Sequence, residues 1–271
     1  MKISAFQIKK LRKMTGVGVM DCKKALIDSK GNIDEAILIL RKKGEEIAIN
    51  RSHFQIKDGA LISSINSDYS SGTIIGLSCE TDFLSKSYEF LSFLSILSKK
   101  SLTCHTKEDF LSSFFHEKKT VKEMIISHMG VSGERLELKI FEKIDSPFVI
   151  DYTHNNHKIA TLVGFSSEIN ISVARNIAMH ITAMNPIAIN ESEIPDLLMK
   201  KEIDIIKNQV KKKGKSENME KKIIQGKIKK FILNNTLMSQ KFIKDNKINI
   251  QEYLNKFNKN IKINLFKRVS I

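Results

Sequence analysis

In the first fifty residues apolar side chains recur three and four apart, and short polar breaks separate the runs. Ile8 and Leu11 share one face of a helix that Ser4 can cap. "TGVG" at 15–18 breaks that helix, and "VMDCKKALIDS" then carries Ala25 and Leu26 toward the same core. A third helix opens at Asn32 with Glu35 at capping-box spacing, continues through "AILILRK" and is expected to stop at Gly44. The pattern reads as a small three-helix module over residues 1–54, closed by a polar linker, "EEIAINRSHFQIKDG".

The period then changes to two. "ALISSI", the turn-rich "NSDYSSG" and "TIIGLSC" predict a β-hairpin. Helical runs follow at about 87–99, 107–116 and 119–129, and "RLELKIFEKI" alternates as a half-buried strand does. After Pro147 the order recurs: "FVIDY", the turn "THNNH", "KIATLVGF", and a helix "ISVARNIAMHITAM" stopped by Asn185-Pro186. A helix "IQEYLNKF" and a strand "IKINLFKRV" close the chain. This is an α+β protein with two related subdomains built on antiparallel sheets, one over 55–144 and one over 145–195 and 230–271. Between the two segments of the second subdomain, Met199, Ile203, Ile206 and Val210 form a heptad seam that Ile224, Ile228 and Phe231 resume beyond the lysine-rich "KKKGKSEN". An inserted antiparallel helical hairpin, coiled-coil in its seam, is expected over 196–229.

Composition narrows the function classes. With 271 residues, 41% of them hydrophobic and 28% charged, the chain can bury a sizeable core. No run approaches the roughly 18 to 20 apolar residues of a membrane span, and the first residues carry no apolar core of signal-peptide length. A cytoplasmic location is expected. Three widely spaced cysteines form no CxxC pair and read as free thiols. The chain has no GxxxxGK[ST] loop, no GxGxxG after a strand, no GxSxG elbow and no HExxH, so no enzyme signature is present. His154 and His157 make an HxxH in a turn without further ligands to complete a metal set, and no cofactor is called for. A net charge of +15 favours anionic partners, which include nucleic acid, a membrane surface and an acidic protein, or reflects a generally basic solvated surface. The lysines are dispersed and no recognition helix or aromatic RNA platform stands out.

One stretch, "SCETDFLSK" at 78–86, sets an acid and a bare ring where a strand hands over to a helix. One reading is local: Thr81 or Asp82 caps the next helix and Phe83 is a staple packed against it. The other reading is that Asp82 and Phe83 face a partner.

"LRKMTGVGVMDCKKAL" followed by "GNIDEAILILRKKG" resembles the N-terminal module of the bacterial elongation factor Ts family, and "TDF" with Lys86 resembles that family's core motif. "NIAMHITAMNP" and "IIQGKIKKF" resemble its later signatures in order, so the resemblance spans residues 1 to about 265. It implies a UBA-like three-helix module and a guanine-nucleotide exchange factor for elongation factor Tu in its GDP form. Such a protein has no chemical step and needs no nucleic acid or membrane. Carried over, Thr81, Asp82 and Phe83 would reach the partner's nucleotide domain, disturb its magnesium site and help release GDP. Arg12, Met20 and Lys23 match the segment that docks on that domain. His154 matches a histidine of the second subdomain's turn, and Phe242 with Ile243 matches an apolar segment that meets another partner domain. Ser132-Gly133-Glu134-Arg135 departs from the family's usual Ile-Gly-Glu-Asn. The chain stops at Ile271 without the C-terminal helical module of many members, so that module's contribution is expected to be absent or supplied otherwise. The alternative reading is a basic RNA-binding protein of the translation apparatus.

Overall fold

The computed structural model describes residues 3–51, 56–116, 119–211 and 217–271. The predicted linker at 52–55 and most of the predicted hairpin tip, 212–216, lie outside the described residues.

Ser4 caps α1 (Ala5–Thr15) in a reciprocal capping box with Gln7, and Gly16 ends it in the left-handed conformation at φ 72°. α2 (Val19–Asp28) and α3 (Ile33–Asn50) follow, the latter capped by Asn32, whose side chain accepts from the Asp34 and Glu35 amides. Leu11, Cys22, Ala25, Leu26, Ala36 and Leu40 close a small core between the three helices.

The hairpin is β1 (Asp58–Ile65) and β2 (Ser71–Cys79), paired antiparallel from Asp58↔Cys79 to Ile65↔Gly72. After it come α4 (Asp82–Ser85), α5 (Tyr88–Ser101) and α6 (Lys107–Ser112). The sequence predicts helix to residue 116, but the chain turns extended at Phe114. A short ladder, β3 (Phe114–His116) with β4 (Lys119–Thr120), precedes α7 (Val121–Ser132). Thr120 caps α7 in a box with Glu123, which sets that helix's start two residues later than the apolar pattern implies. β5 (Glu137–Asp145) then returns beside β2.

The second block repeats the scheme. β6 (Phe148–Thr153) and β7 (Ile159–Phe165) form a hairpin, and α8 (Ile171–Met184) ends on Asn185 at φ 45°. α9 (Asp196–Lys211) and α10 (Glu217–Asn235) follow, then the short pair β8 (Lys241–Phe242) and β9 (Asp245–Asn249), α11 (Ile250–Asn255) and β10 (Ile263–Ser270). The strand orders are β1-β2-β5 and β10-β7-β6, so in each sheet the second hairpin strand is central.

Alternation along these strands stacks four layers. Ile75 and Leu77 face Phe90, Phe93, Leu94 and Leu97 of α5. Ile74, one residue off, faces the other way and joins Leu61, Ile144, Val149, Ala160 and Leu162 between the two sheets. Val163 and Phe165 face outward from that layer onto Val173, Ile177 and Ile181 of α8. In the helical pair, Ile206 and Val210 are buried, Ile224, Ile228 and Phe231 are half-buried, and Lys227 Nζ donates to Gln209 Oε1 at 2.8 Å. α10 continues past residue 229 to Asn235.

The expected stop at Gly44 is corrected by the structure: α3 runs through it to Asn50, and the first part of the expected linker is helix. Gly44 serves a close crossing instead. A Cβ there would collide with the Ile126 carbonyl oxygen of α7 and lie 3.3 Å from the Gly130 amide nitrogen. Gly130 in turn lies with its would-be Cβ 3.4 Å from Gly44 Cα, so the two backbones meet at paired glycines. An Arg41–Glu123 ion pair stands beside the crossing. The N-terminal module is thereby fixed on α7.

Candidate functional site

The hand-over from β2 to α4 is tightly bonded at its start and presents two side chains, Asp82 and Phe83, outward. Thr81, extended at φ −121° and ψ 152°, is the N-cap of α4, its Oγ1 accepting from the Leu84 amide at 3.3 Å. The same hydroxyl donates to Glu134 Oε1 at 2.6 Å. Glu134 Oε2 accepts the amides of both Glu80 and Thr81 at 3.0 Å. Glu80 answers across the gap: one carboxylate oxygen accepts the Arg135 amide at 2.7 Å and the other pairs with Arg51 Nη1 at 2.6 Å. Arg51 is the C-cap of α3, so the junction is tied to the N-terminal module as well as to the end of α7.

Beneath the turn, the Cys79 thiol donates to the Thr81 carbonyl at 3.2 Å. Burial first, and then the nearby carboxylates of Glu134 and Asp58, push its pKa up to about 12, so it remains a neutral donor. Leu84 packs on the first subdomain's core and Ser85 is buried, its hydroxyl donating to the Asp82 carbonyl at 3.1 Å. With those two turned inward, one helical turn leaves Asp82 and Phe83 on the outside. Phe83 is 84% exposed. The staple reading therefore fails for its side chain, while the capping reading holds for Thr81. Asp82 pairs with Lys86 at 2.7 Å, one turn on, and that hydrogen bond raises the Lys86 pKa. Ser87 immediately caps α5, accepting from the Phe90 amide at 3.2 Å.

The other predicted positions are scattered. Arg12 is exposed in the last turn of α1; Met20, 73% exposed, and Lys23 lie one turn apart on α2 and share a face. His154 is exposed at the start of the β6–β7 turn, its Nδ1 3.2 Å from the Tyr152 hydroxyl. His157 is turned away, its Nδ1 3.3 Å from the Leu61 carbonyl oxygen, so the two rings of the HxxH have separate partners. Phe242 requires correction as a contact residue. It is buried in the second subdomain's core and stacks on Tyr253 at 4.2 Å, leaving only Ile243 of that pair with surface to offer. Ile243 is placed by His180, a fully buried ring that sequence reasoning missed. His180 Nδ1 accepts the Ile243 amide at 3.3 Å and Nε2 stands 3.0 Å from Gln240 Oε1. Burial lowers the His180 pKa. Glu134 and Glu80 were likewise missed as site residues. The only signal available was that Glu134 falls in the Ser132–Arg135 stretch, far away in sequence.

The family described as "Elongation factor TS" matches residues 80–271, a span that opens on the junction itself. Elongation factor Ts of Christiangramia forsetii is 39% identical over 272 residues, covering all of this chain and 99% of its own. That of Flavobacterium psychrophilum is 41% identical over 271 residues, covering 99% and 98%. The chain belongs to the elongation factor Ts family. Membership extends to the N-terminal module, because relatives such as the elongation factor Ts of Azobacteroides pseudotrichonymphae, 35% identical, also align over the full chain. Among the described residues of this family member no helix is long and apolar enough to cross a membrane, and no group of three or more potential metal ligands gathers.

Proposed function

We propose that the protein is a guanine-nucleotide exchange factor for elongation factor Tu, acting in the cytoplasm during translation elongation. It binds the GDP form, weakens nucleotide and magnesium binding, and leaves when GTP enters. One observation carries this reading: Phe83 stands bare beside Asp82 on a turn whose Glu80 and Thr81 amides are held by a carboxylate, at the position of the family's core motif. Leaving a phenylalanine in water forgoes roughly 1.5 to 3 kcal/mol of burial, free energy that becomes available when the ring enters a partner's pocket. An aromatic anchor in a partner's pocket contributes about 2 kcal/mol or more, and a carboxylate brought beside a magnesium-coordinating network reorganises it through its charge. Arg12, Met20 and Lys23 dock the N-terminal module on the nucleotide domain, and His154 and Ile243 supply outlying contacts.

No bond is made or broken by this protein and no cofactor takes part. The coupling is reciprocal: the factor by which the protein weakens GDP binding is the factor by which GDP weakens its own binding. The test is the release of labelled GDP from elongation factor Tu with and without the protein. Acceleration that Asp82→Ala/Phe83→Ala strongly reduces without removing it, at a nearly unchanged melting temperature, supports the proposal. RNA binding of steep salt dependence with no effect on GDP release would replace it with the RNA-binding reading.

A further inference from the structure

We propose that Glu134 is a positioning residue for nucleotide exchange: its carboxylate sets the orientation of the Thr81–Phe83 turn, and Asp82 and Phe83 act on the partner only while that orientation holds. This inference rests on the exchange reading above. The amides of Glu80 and Thr81 fall past the last paired residues of β2, where Cys79 meets Asp58 and Ser78 meets Glu137, so no ladder serves them. One oxygen of Glu134 takes both, at 3.0 Å each, and the other takes the Thr81 hydroxyl at 2.6 Å. Capping α4 requires only the Thr81 hydroxyl as acceptor; it does not require a carboxylate from another element.

The carboxylate is itself held at its root. Gly133, at φ 75°, ends α7 with its amide on the Met129 carbonyl at 2.8 Å, and the Glu134 amide donates to Ser132 Oγ at 3.3 Å. In return Glu80 binds the Arg135 amide. Each segment's carboxylate thus holds the other segment's backbone, which removes the tilt a one-turn helix would otherwise have. All of this bonding acts on the main chain and on Thr81, while Asp82 and Phe83 are left free of it. That division is what a mount for two partner-directed side chains requires, since a misplacement of about 1 Å is enough to change a rate on the order of a hundredfold.

The test is a double-mutant cycle on GDP release from elongation factor Tu, using the full chain. Glu134→Ala should slow exchange at saturating factor on the order of tenfold. In the Asp82→Ala/Phe83→Ala background the same change should cause no further loss, because Glu134 works through those side chains. Glu134→Gln should restore most of the rate, its amide oxygen taking the two backbone donors while the hydroxyl of Thr81 turns. Full activity of Glu134→Ala per folded molecule, or an equal loss in both backgrounds, overturns the proposal. If Glu134→Ala does not fold, Glu134→Asp, which keeps the charge on a shorter arm, enters the cycle with the same expectations. A wild-type protein without effect on GDP release overturns the exchange reading itself, whereas activity that depends on Asp82 and Phe83 but not on Glu134 overturns only this inference.

Discussion

Thr81 and Phe83 are neighbours with opposite duties, and substitution separates them. Thr81→Ala removes a cap and a hydrogen bond to a carboxylate, and should lower stability by about 1 to 2 kcal/mol, read as a shift in denaturant midpoint at constant slope. Phe83→Ala removes a ring that touches almost nothing and should shift stability by no more than about 0.5 kcal/mol while exchange falls. A third residue contributes to the response to acid, as the buried His180 also does. His128 on α7 stacks on Phe93 at 4.0 Å, and burial lowers its pKa to about 4 from the ordinary 6.5. The unfolded chain therefore takes up the proton first. Stability contributed by the neutral ring is complete above pH 6.5 and is lost as pH falls from there toward 4, by about 2 kcal/mol at pH 5. His128→Phe keeps the stack without the titration, and its unfolding free energy should be flatter between pH 7 and 5. The cap at Thr81 was legible in the sequence because capping is local. The clamp from Glu134 was not, because it joins residues 53 positions apart and no local rule reaches that far.

At the scale of elements, long periodic runs were legible and exceptions came from tertiary contacts. α8 occupies the expected residues, since an Asn cap and an Asn-Pro stop bracket an apolar face. The pattern ends α3 early because glycine after a helical run is the usual stop, whereas Gly44 sits inside the helix and lets α7 approach. β3 and β4 are too short to carry a period, and Phe242, a contact residue by resemblance, fills a core instead. Gly44→Ala should lower stability by about 2 kcal/mol or more, since the obstruction is backbone and cannot move aside, and should expose residues 1–51 to limited proteolysis. The α9–α10 pair buries its seam largely on itself. Replacing residues 199–228 with a short Gly-Ser linker should leave a folded protein that still releases GDP; loss of folding would assign the pair to the core.

For the whole molecule, charge and connection matter more than any single contact. The net charge of +15 is spread over the chain, so its effect is a long-range field. Raising salt from 0.1 M to 1 M shortens the screening length from about 10 Å to about 3 Å and removes only the long-range attraction. Stopped-flow association with elongation factor Tu should slow as salt rises while dissociation stays nearly constant. The connection is α3. Its first half, with Ala36 and Leu40, belongs to the N-terminal core. Its last turns pack Ile47 and Ala48 on the first subdomain, and Arg51 reaches Glu80. A protein that meets one partner through both the N-terminal module and the Thr81–Phe83 turn is a two-point ligand, and a helix shared by two cores makes it a stiff one. The second contact then forms at an effective concentration set by fixed geometry rather than by a loose tether, and translational freedom is lost once for both. On the proposed exchange reading, two surfaces that would each bind weakly alone would add their free energies along α3, and their equilibrium constants would multiply.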